Sequence, residues 1–276
     1  MAESELLEFH RAIDRSESTK GMYVYTAILY RDGASGGRFY MRVFRPGMSK
    51  ADVDLEDLLA EVKSQQAGPC PGAGDVGGEP LLVDIAQVFP KLPPSFMSVE
   101  PQADLYVKKL EIGLYDNPAF HKARRDAIMS EANVLEELRR RPHPHIVKYL
   151  GCMVEHSRIV GFVLEPYKQT LLQRCLAKET PLKVGRCIAQ IAAALAHLHD
   201  MGYCHNDVTP RNIMLKEDDT AVLIDFDSCQ RMGETLLKGT AAGWRDDASR
   251  TSVVKNDWLG LALVENFLRK SFGANE

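Results

Sequence analysis

The chain has 276 residues and a mass of 30.8 kDa, enough for one large domain or two small lobes. Hydrophobic residues make up 45% and charged residues 26%, a globular composition that excludes a disordered, collagenous or coiled-coil chain. The formal net charge of -4 argues against nucleic acids and anionic membranes as partners, because both require a basic surface.

The first part of the chain is predicted to form a small sheet. Residues 23–30 and 38–44 are rich in β-branched and aromatic residues, and the Gly-rich segment between them predicts a hairpin turn. Residues 54–62 carry leucine and valine at helical spacing, whereas residues 67–80 are rich in Gly and Pro and predict an exposed loop. Two further strands are predicted, over residues 81–88 and 105–110.

Helical periodicity dominates the rest of the chain. One amphipathic helix is predicted to start near Ala119 and to stop before Pro142, and a second ends near Gly202. A short strand over residues 221–224 and a third helix over residues 253–268 follow. The fold class is therefore predicted as α+β, with a β-rich N-terminal lobe and a mainly helical C-terminal lobe.

The cysteines show no C-x-x-C pair and no Cys/His spacing typical of a zinc site, so free thiols in a reducing compartment are expected. Residues 1–20 are too acidic and polar for a signal or transit peptide. The most apolar stretch, residues 187–198, is too short to cross a bilayer. A cytoplasmic or nuclear location without a membrane anchor is the resulting expectation.

The motif H-x-D-x-x-x-x-N, formed by His205, Asp207 and Asn212, carries the chemistry. Asp225-Phe226 follows thirteen residues after Asn212, at the end of a predicted strand. Phosphoryl transfer needs these residue types: one carboxylate orients the attacking hydroxyl and accepts its proton, while another carboxylate and an amide oxygen hold Mg²⁺ against the phosphates. Each residue alone would more simply be a turn former or a helix cap.

The order of the remaining motifs resembles that of the eukaryotic protein kinases. Lys108 ends a predicted strand, and Glu131 stands in the next helix ahead of the HPHIV sequence. In that resemblance Lys108 contacts the α- and β-phosphates of ATP and Glu131 pairs with it. As isolated residues they would be a surface lysine and a solvated glutamate, and strand alternation leaves Lys109 as the alternative lysine.

Residues 161–167 resemble the strand and hinge whose backbone binds adenine in that family. The resemblance implies Val163 as the gatekeeper, with Glu165 and Tyr167 also in the nucleotide site. The phrases HPHIVKYLGC, HNDVTPRNIM, IDFDSC and NDWLGLALVENFL are more narrowly similar to short protein-kinase-like chains of filamentous fungi. This likeness covers about residues 104–268.

Three positions in and after the H-x-D motif depart from the kinase pattern. Asn206 replaces the arginine of H-R-D, so activation through a phosphorylated segment is not expected. Thr209 replaces a lysine, but Arg211 supplies a positive charge that can offset charge developing in transfer. Asp227 replaces the glycine of D-F-G, which adds a carboxylate beside Asp225.

The phosphate-covering loop is not assigned by the sequence. Residues 72–77 match G-x-G-x-x-G but lie in a Gly/Pro-rich segment, and the turn at residues 33–37 is a rival. The activation segment around residues 239–244 has no A-P-E motif. Asp257 would anchor the catalytic-loop backbone in the kinase resemblance, and an exposed helix N-cap is the alternative.

The resemblance implies a two-lobed phosphotransferase that moves the γ-phosphate of ATP·Mg²⁺ to a hydroxyl, most simply a serine or threonine of a protein substrate. Its residue roles are catalysis by Asp207, Arg211 and Lys108, nucleotide binding by Lys108, Glu131, Val163, Glu165 and Tyr167, and metal binding by Asn212 and Asp225. Residues 1–103 would be an extension with the start of the N-lobe, residues 104–166 its remainder, and residues 167–276 a truncated C-lobe. The alternatives are a pseudokinase binding module and a small-molecule phosphotransferase of the aminoglycoside or choline kinase type.

Overall fold

The computed structural model describes residues 3–13, 23–44, 48–64, 80–113, 115, 118–177, 182–236, 244 and 249–272. The chain divides into two compact units with mixed α and β structure. The first contains residues 1–89 and 110–125, and the second contains residues 90–109 and 126–276. Every helix in the described residues is too short or too polar to cross a bilayer.

A four-stranded antiparallel sheet of order β1-β2-β3-β4 forms the centre of the first unit. Its strands are β1 (Glu5–Ile13), β2 (Tyr23–Arg31), β3 (Arg38–Val43) and β4 (Leu81–Leu82). Thr26 lies opposite Val43, which confirms the predicted hairpin. In its turn Gly36 has a φ of 68°, a left-handed conformation that glycine adopts without a steric cost.

Helix α1 (Leu55–Ser64) confirms the predicted helical segment and follows a short 3₁₀ turn, Lys50–Asp52. Its Leu58 packs with Ile28, Tyr30 and Met41 of the sheet. The sheet is tied to residues 110–125 by Glu8, whose carboxylate accepts hydrogen bonds from the amides of Ile112 and Gly113 at 2.7 and 2.9 Å.

Residues 81–88 are not one strand, contrary to the sequence prediction. Only Leu81–Leu82 pair with β3, and the short helix α2 (Ile85–Val88) follows. Asp84 explains the change, because its carboxylate caps α2 by accepting a 2.9 Å hydrogen bond from the amide of Ala86. Strand β1 was not predicted from the sequence.

The second unit contains a three-stranded antiparallel sheet of order β5-β7-β6. The strands are β5 (Tyr106–Lys109), β6 (Tyr149–Glu155) and β7 (Arg158–Leu164). Helix α3 (Pro118–Arg140) confirms the first predicted long helix, and its residues from 126 onward belong to this unit.

The remaining elements of the second unit are three helices and short paired strands. They are β8 (Gln169–Thr170), α4 (Leu171–Leu176), α5 (Val184–Asp200), β9 (Tyr203–Cys204), β10 (Ile213–Leu215), β11 (Ala221–Leu223), β12 (Gln230–Arg231) and α6 (Val254–Phe272). Helix α5 confirms the second predicted helix and buries Ile191, Leu195 and Leu198. The third predicted helix is also present, and Gly260 lets α6 approach the chain at Val208, since a Cβ there would lie 2.9 Å from Val208.

The five cysteines among the described residues are buried free thiols. They are Cys152, Cys175, Cys187, Cys204 and Cys229. Cys70 lies outside the described residues.

Candidate functional site

The loop between β9 and β10 carries the H-x-D-x-x-x-x-N motif and is held by Asp257 of α6. The fully buried carboxylate of Asp257 accepts hydrogen bonds from the amides of His205 and Asn206, at 2.9 and 2.7 Å. The Nε2 atom of His199 lies 2.8 Å from the same carboxylate. Of the two interpretations of Asp257, the structure therefore favours the loop anchor over an exposed helix cap.

Asp207 and Asn212 meet across this loop. The Asn212 side-chain amide donates hydrogen bonds to the Asp207 carboxylate Oδ2 and to its backbone oxygen, at 2.7 and 2.9 Å. The other carboxylate oxygen, Oδ1, is buried and has no hydrogen-bond partner in the described part of the chain. Asp207 and Asn212, which the motif spacing predicted to lie close together, are therefore in direct contact.

The environment of Asp207 favours the protonated form of its carboxyl group. Burial is the main cause of its raised pKa, and the nearby carboxylates of Asp225 and Asp227 raise that pKa further. His205 and the hydrogen bond from Asn212 act in the opposite direction. A carboxylate that is partly desolvated in this way is a stronger proton acceptor than a solvated one.

Lys108 joins β5 to two other segments of the second unit. Its ammonium lies 2.7 Å from the Glu131 carboxylate on α3 and 2.5 Å from that of Asp225. Burial disfavours the charge on Lys108, but the two carboxylates outweigh burial and raise the pKa of the ammonium above its usual range. Burial also raises the pKa of Glu131, against the opposing effect of Lys108. Lys109 is exposed.

Asp225 follows β11 and is placed by an unusual backbone conformation. Its φ of 65° lies in the left-handed region, where a non-glycine residue is strained. The adjacent Phe226 is buried and contacts the ring of His205, with the ring centroids 5.1 Å apart. The Nε2 atom of His205 also lies 3.0 Å from the backbone oxygen of Ile224. His205 therefore connects the Asp207 loop to the segment that carries Asp225.

A family model described as the protein kinase domain matches residues 111–245, which include Glu131, Asp207, Asn212 and Asp225. Proteins named as kinases also stand among the similar curated proteins, including one from the fungus Pyricularia oryzae. This match and the kinase relatives support membership of the eukaryotic protein kinase superfamily. A kinase-like function is thereby supported at low sequence identity.

Three relatives illustrate the similarity. Receptor-interacting serine/threonine-protein kinase 1 of Homo sapiens is 34% identical over 96 residues, which are 34% of this chain and 14% of that protein. The mitogen-activated protein kinase kinase kinase MST11 of Pyricularia oryzae is 33% identical over 127 residues, 45% of this chain and 13% of that protein. Cytokinesis protein sepH of Emericella nidulans is 28% identical over 189 residues, 66% of this chain and 12% of that protein. The matched part is thus a small fraction of each relative.

Val163 does not join the Lys108 cluster of this kinase homologue. Lys108 lies opposite Phe162, and Val107 lies opposite Val163. Because cross-strand partners share a face and neighbours alternate, the side chain of Val163 is on the face opposite to that of Lys108. Leu164 shares the Lys108 face. The sequence alone did not indicate Leu164, because the register of β7 with β5 decides which β7 side chains share a face with Lys108.

Glu165 and Tyr167 follow β7 and contact each other rather than Lys108. The Tyr167 hydroxyl donates a 3.2 Å hydrogen bond to the Glu165 carboxylate and accepts a 3.1 Å bond from the amide of Lys148. Both side chains line a cavity of about 590 Å³ whose other walls include the end of α3 and residues 142–150. Lys108, Asp207 and Asp225 are not part of its described lining.

Asn206, which stands where the kinase pattern has arginine, forms several hydrogen bonds to uncharged groups. Its φ is 62°, and its side-chain amide donates to the backbone oxygens of Cys204 and Ser228 and to the Ser252 hydroxyl, at 3.0, 3.2 and 3.0 Å. The Asn256 amide donates a 3.1 Å bond to its oxygen. Asn206 therefore joins the loop to the segment after Asp225 and to the approach to α6. The motif spacing gave no signal for this role.

The remaining residues and segments singled out from the sequence have fewer contacts with Asp207 and Asp225. Arg211 is exposed, and in the described part of the chain no hydrogen bond or ion pair connects it to Asp207 or Asp225. Thr209 is buried, and its backbone oxygen accepts a 3.0 Å bond from the amide of Asn212. The glycine pattern at residues 72–77 and the segment at residues 239–243 lie outside the described residues, and the rival turn at residues 33–37 belongs to the first unit.

Proposed function

We propose that the chain is an ATP- and Mg²⁺-dependent phosphotransferase that moves the γ-phosphate to a hydroxyl, with a serine or threonine of a protein as the acceptor. The observation that supports this most strongly is the convergence of two pairs of polar groups. Lys108 and Glu131 meet Asp225, and the amide of the adjacent Ile224 donates a 2.9 Å hydrogen bond to the backbone oxygen of Asn212. The side chain of Asn212 is in turn bonded to Asp207. These are the groups that phosphoryl transfer requires.

The donor set fits Mg²⁺. This ion prefers carboxylate and amide oxygens, which Asp225 and Asn212 offer. The buried Asp207 Oδ1, without a hydrogen-bond partner in the described residues, and the nearby Asp227 add negative charge that a cation would offset. Asn212 and Asp225 are proposed as the ligands. When bound, the ion neutralises charge on the phosphate oxygens.

Three further roles in phosphoryl transfer are proposed for side chains of this protein. Asp207 is proposed to orient the acceptor hydroxyl and to take its proton, for which its raised pKa suits it. Lys108 is proposed to hold the α- and β-phosphates, while Glu131 fixes the direction of its ammonium. Arg211 is proposed to offset charge that develops on the transferred group, from its exposed position next to Asn212.

The two-lobed arrangement is also part of the proposal. One lobe would contain the sheet of β5, β6 and β7 with α3, and the other would contain α4, α5 and α6. Glu165 to Tyr167, which follow β7, would connect them, and their backbone would contact the adenine. Their position between β7, which pairs with the Lys108 strand, and β8, which pairs with β10 directly after Asn212, supports this assignment.

Transfer of radiolabelled phosphate from ATP with Mg²⁺ tests the function. The acceptors are the protein itself, a generic basic protein, serine and threonine peptides, and small amino alcohols. Asp207→Asn should reduce transfer by about 100- to 10,000-fold, because it removes the proton acceptor but keeps the hydrogen-bonding shape. Asp104→Asn, at an exposed aspartate, is the matched control and should retain the parental rate.

Two results would contradict the proposal. Equal transfer by the parent and Asp207→Asn would remove Asp207 from the mechanism. A parent that binds ATP, as measured by thermal shift, yet transfers phosphate to none of the acceptors would instead support a pseudokinase binding module. Transfer to amino alcohols alone would keep the chemistry and change the acceptor class.

A further inference from the structure

Residues 90–99, named here the edge strap, run from β7 to the outer edge of β6. Lys91 forms an antiparallel bridge with Arg158, and the amide of Ile159 donates a 3.0 Å hydrogen bond to the oxygen of Pro90. Further along, Ser98 forms a parallel bridge with Cys152 of β6. The strap thus pairs with two strands of the sheet that carries Lys108.

The strap is fixed against β6 by close backbone contacts. The amide of Cys152 donates to the oxygen of Met97 at 2.8 Å, and the amide of Val99 donates to the oxygen of Cys152 at 2.9 Å. At Gly151, an added Cβ would lie 2.7 Å from the Val99 side chain and 3.0 Å from the Met97 backbone oxygen. Only a residue without a side chain therefore allows the strap to lie this close.

The strap also contacts helix α3 through Glu136. Glu136 is 1% exposed, and its carboxylate accepts a 2.9 Å hydrogen bond from the amide of Met97. It also accepts bonds from the Tyr149 hydroxyl of β6 and from Arg139, at 3.2 and 2.9 Å. A buried carboxylate costs free energy unless its oxygens are satisfied, so loss of the strap contact would leave Glu136 under-bonded.

Glu136 lies five residues after Glu131 on the same helix, so a constraint on one limits the position of the other. We propose that the edge strap, acting through Glu136, positions α3 so that Glu131 stays against Lys108. Glu136 is then a positioning residue, and the chain supplies its own clamp for α3. The effect on transfer rests on the proposed function, whereas the effect on the helix does not.

The first experiment displaces the strap with Gly151→Ala. Its matched control is Gly185→Ala in α5, where an added Cβ meets no atom within 4 Å. Amide hydrogen exchange in residues 128–137 should become at least several-fold faster in Gly151→Ala and stay unchanged in Gly185→Ala. Unchanged exchange in residues 128–137 of a folded Gly151→Ala protein would overturn the proposal, whatever the activity.

The second experiment asks whether the strap acts through Glu131. Gly151→Ala should lower kcat about 10- to 100-fold in the parent, since a small misplacement of a catalytic group is costly. In a Glu131→Gln background the same substitution should have little further effect, because residues that act through one another are not additive. Additive losses would show a merely structural role and overturn the proposal.

A third variant pair covers the case in which Gly151→Ala does not fold. Glu136→Gln keeps an oxygen acceptor for the Met97 amide and should retain most transfer and the parental exchange rates. Glu136→Leu removes the acceptor and should reproduce the effect of Gly151→Ala. If neither the parent nor any variant transfers phosphate, but exchange in residues 128–137 is still faster in Glu136→Leu, the clamp is supported and the proposed function is wrong. Failure of the clamp and failure of the proposed function therefore give different results.

Discussion

The two sides of the candidate site are held by different means. On the loop side, Asp207 stands in a segment whose backbone amides bond to a buried carboxylate, Asp257, and the side-chain amide of Asn206 bonds this segment to Ser228. On the lysine side, Lys108 is placed by an ion pair between flexible side chains of β5 and α3. Hydrogen bonds to backbone amides fix the position of a loop directly. The position of an ion pair depends instead on the strand and helix that carry its two side chains.

This difference predicts where each side is vulnerable. Loss of a buried backbone contact on the loop side should reduce stability, because donors are left without acceptors. Loss of a side chain on the lysine side should reduce transfer with little change in folding. The following variants test that separation.

Among the variants that test this separation, Lys108→Ala should have the largest effect on transfer. Removal of the ammonium should lower kcat/KM about 100- to 1,000-fold, because one preorganised charge next to the phosphates is lost. Glu131, whose pKa is already raised by burial, can become protonated, so the fold should tolerate the change. Steady-state kinetics and thermal unfolding measure the two quantities.

Lys109→Ala is the control for this variant, since Lys109 is the exposed neighbour of Lys108. Its transfer rate should match that of the parent. A large loss in Lys109→Ala together with normal transfer in Lys108→Ala would exchange the roles of the two lysines.

Asp257→Ala should have the largest effect on stability. It leaves the buried amides of His205 and Asn206 without their acceptor, which should cost about 2–5 kcal/mol of unfolding free energy. Urea denaturation followed by circular dichroism measures the loss. A change within error of the parent would show that the anchor contributes little and would undo the contrast between the two sides.

Asn206→Gly should also lower the free energy of unfolding, but by less than Asp257→Ala. Glycine permits the φ of 62° but lacks the amide that bonds to Ser228, Ser252 and Asn256, so a loss of about 1–2 kcal/mol is expected. The same urea titration applies. If Asn206→Ala proved much more stable than Asn206→Gly, backbone entropy rather than the amide network would control this position.

The smallest effect concerns the pH dependence of transfer. The active form of Asp207 is deprotonated, so activity is lost as pH falls through its pKa, which burial and the neighbouring carboxylates raise. Asp227→Asn removes one of those negative charges and should move the acidic limb of kcat/KM toward lower pH. Asp218→Asn, at an exposed aspartate, should leave the limb in place. Movement of the limb toward higher pH would contradict the electrostatic interpretation.

The motif order predicted which secondary-structure elements carry the candidate site residues. Spacing indicated that Asp207 and Asn212 share one loop and that Asp225 follows a strand, whereas the kinase resemblance placed Lys108 on a strand and Glu131 in the next helix. Helical periodicity also predicted α3, α5 and α6, because a buried stripe repeats along each of them. These features depend on local sequence.

Features that depend on pairing between distant segments were not predicted. The face that carries Val163 or Leu164 depends on the register of β7 with β5, which is set across the sheet. The edge strap binds through backbone groups, and backbone pairing leaves no periodic signal in side chains. The break after Leu82 depends on one capping carboxylate, that of Asp84.

The contact of α6 with the Asp207 loop has a consequence for the order of folding. His205 and Asp257 are 52 residues apart in sequence, and Gly260 of the same helix packs against Val208. Closing such a long stretch of chain costs entropy before its contacts are gained. The loop should therefore acquire its final geometry late, when α6 docks, and a growing chain that ends before residue 257 would contain the whole H-x-D motif without the carboxylate that shapes it.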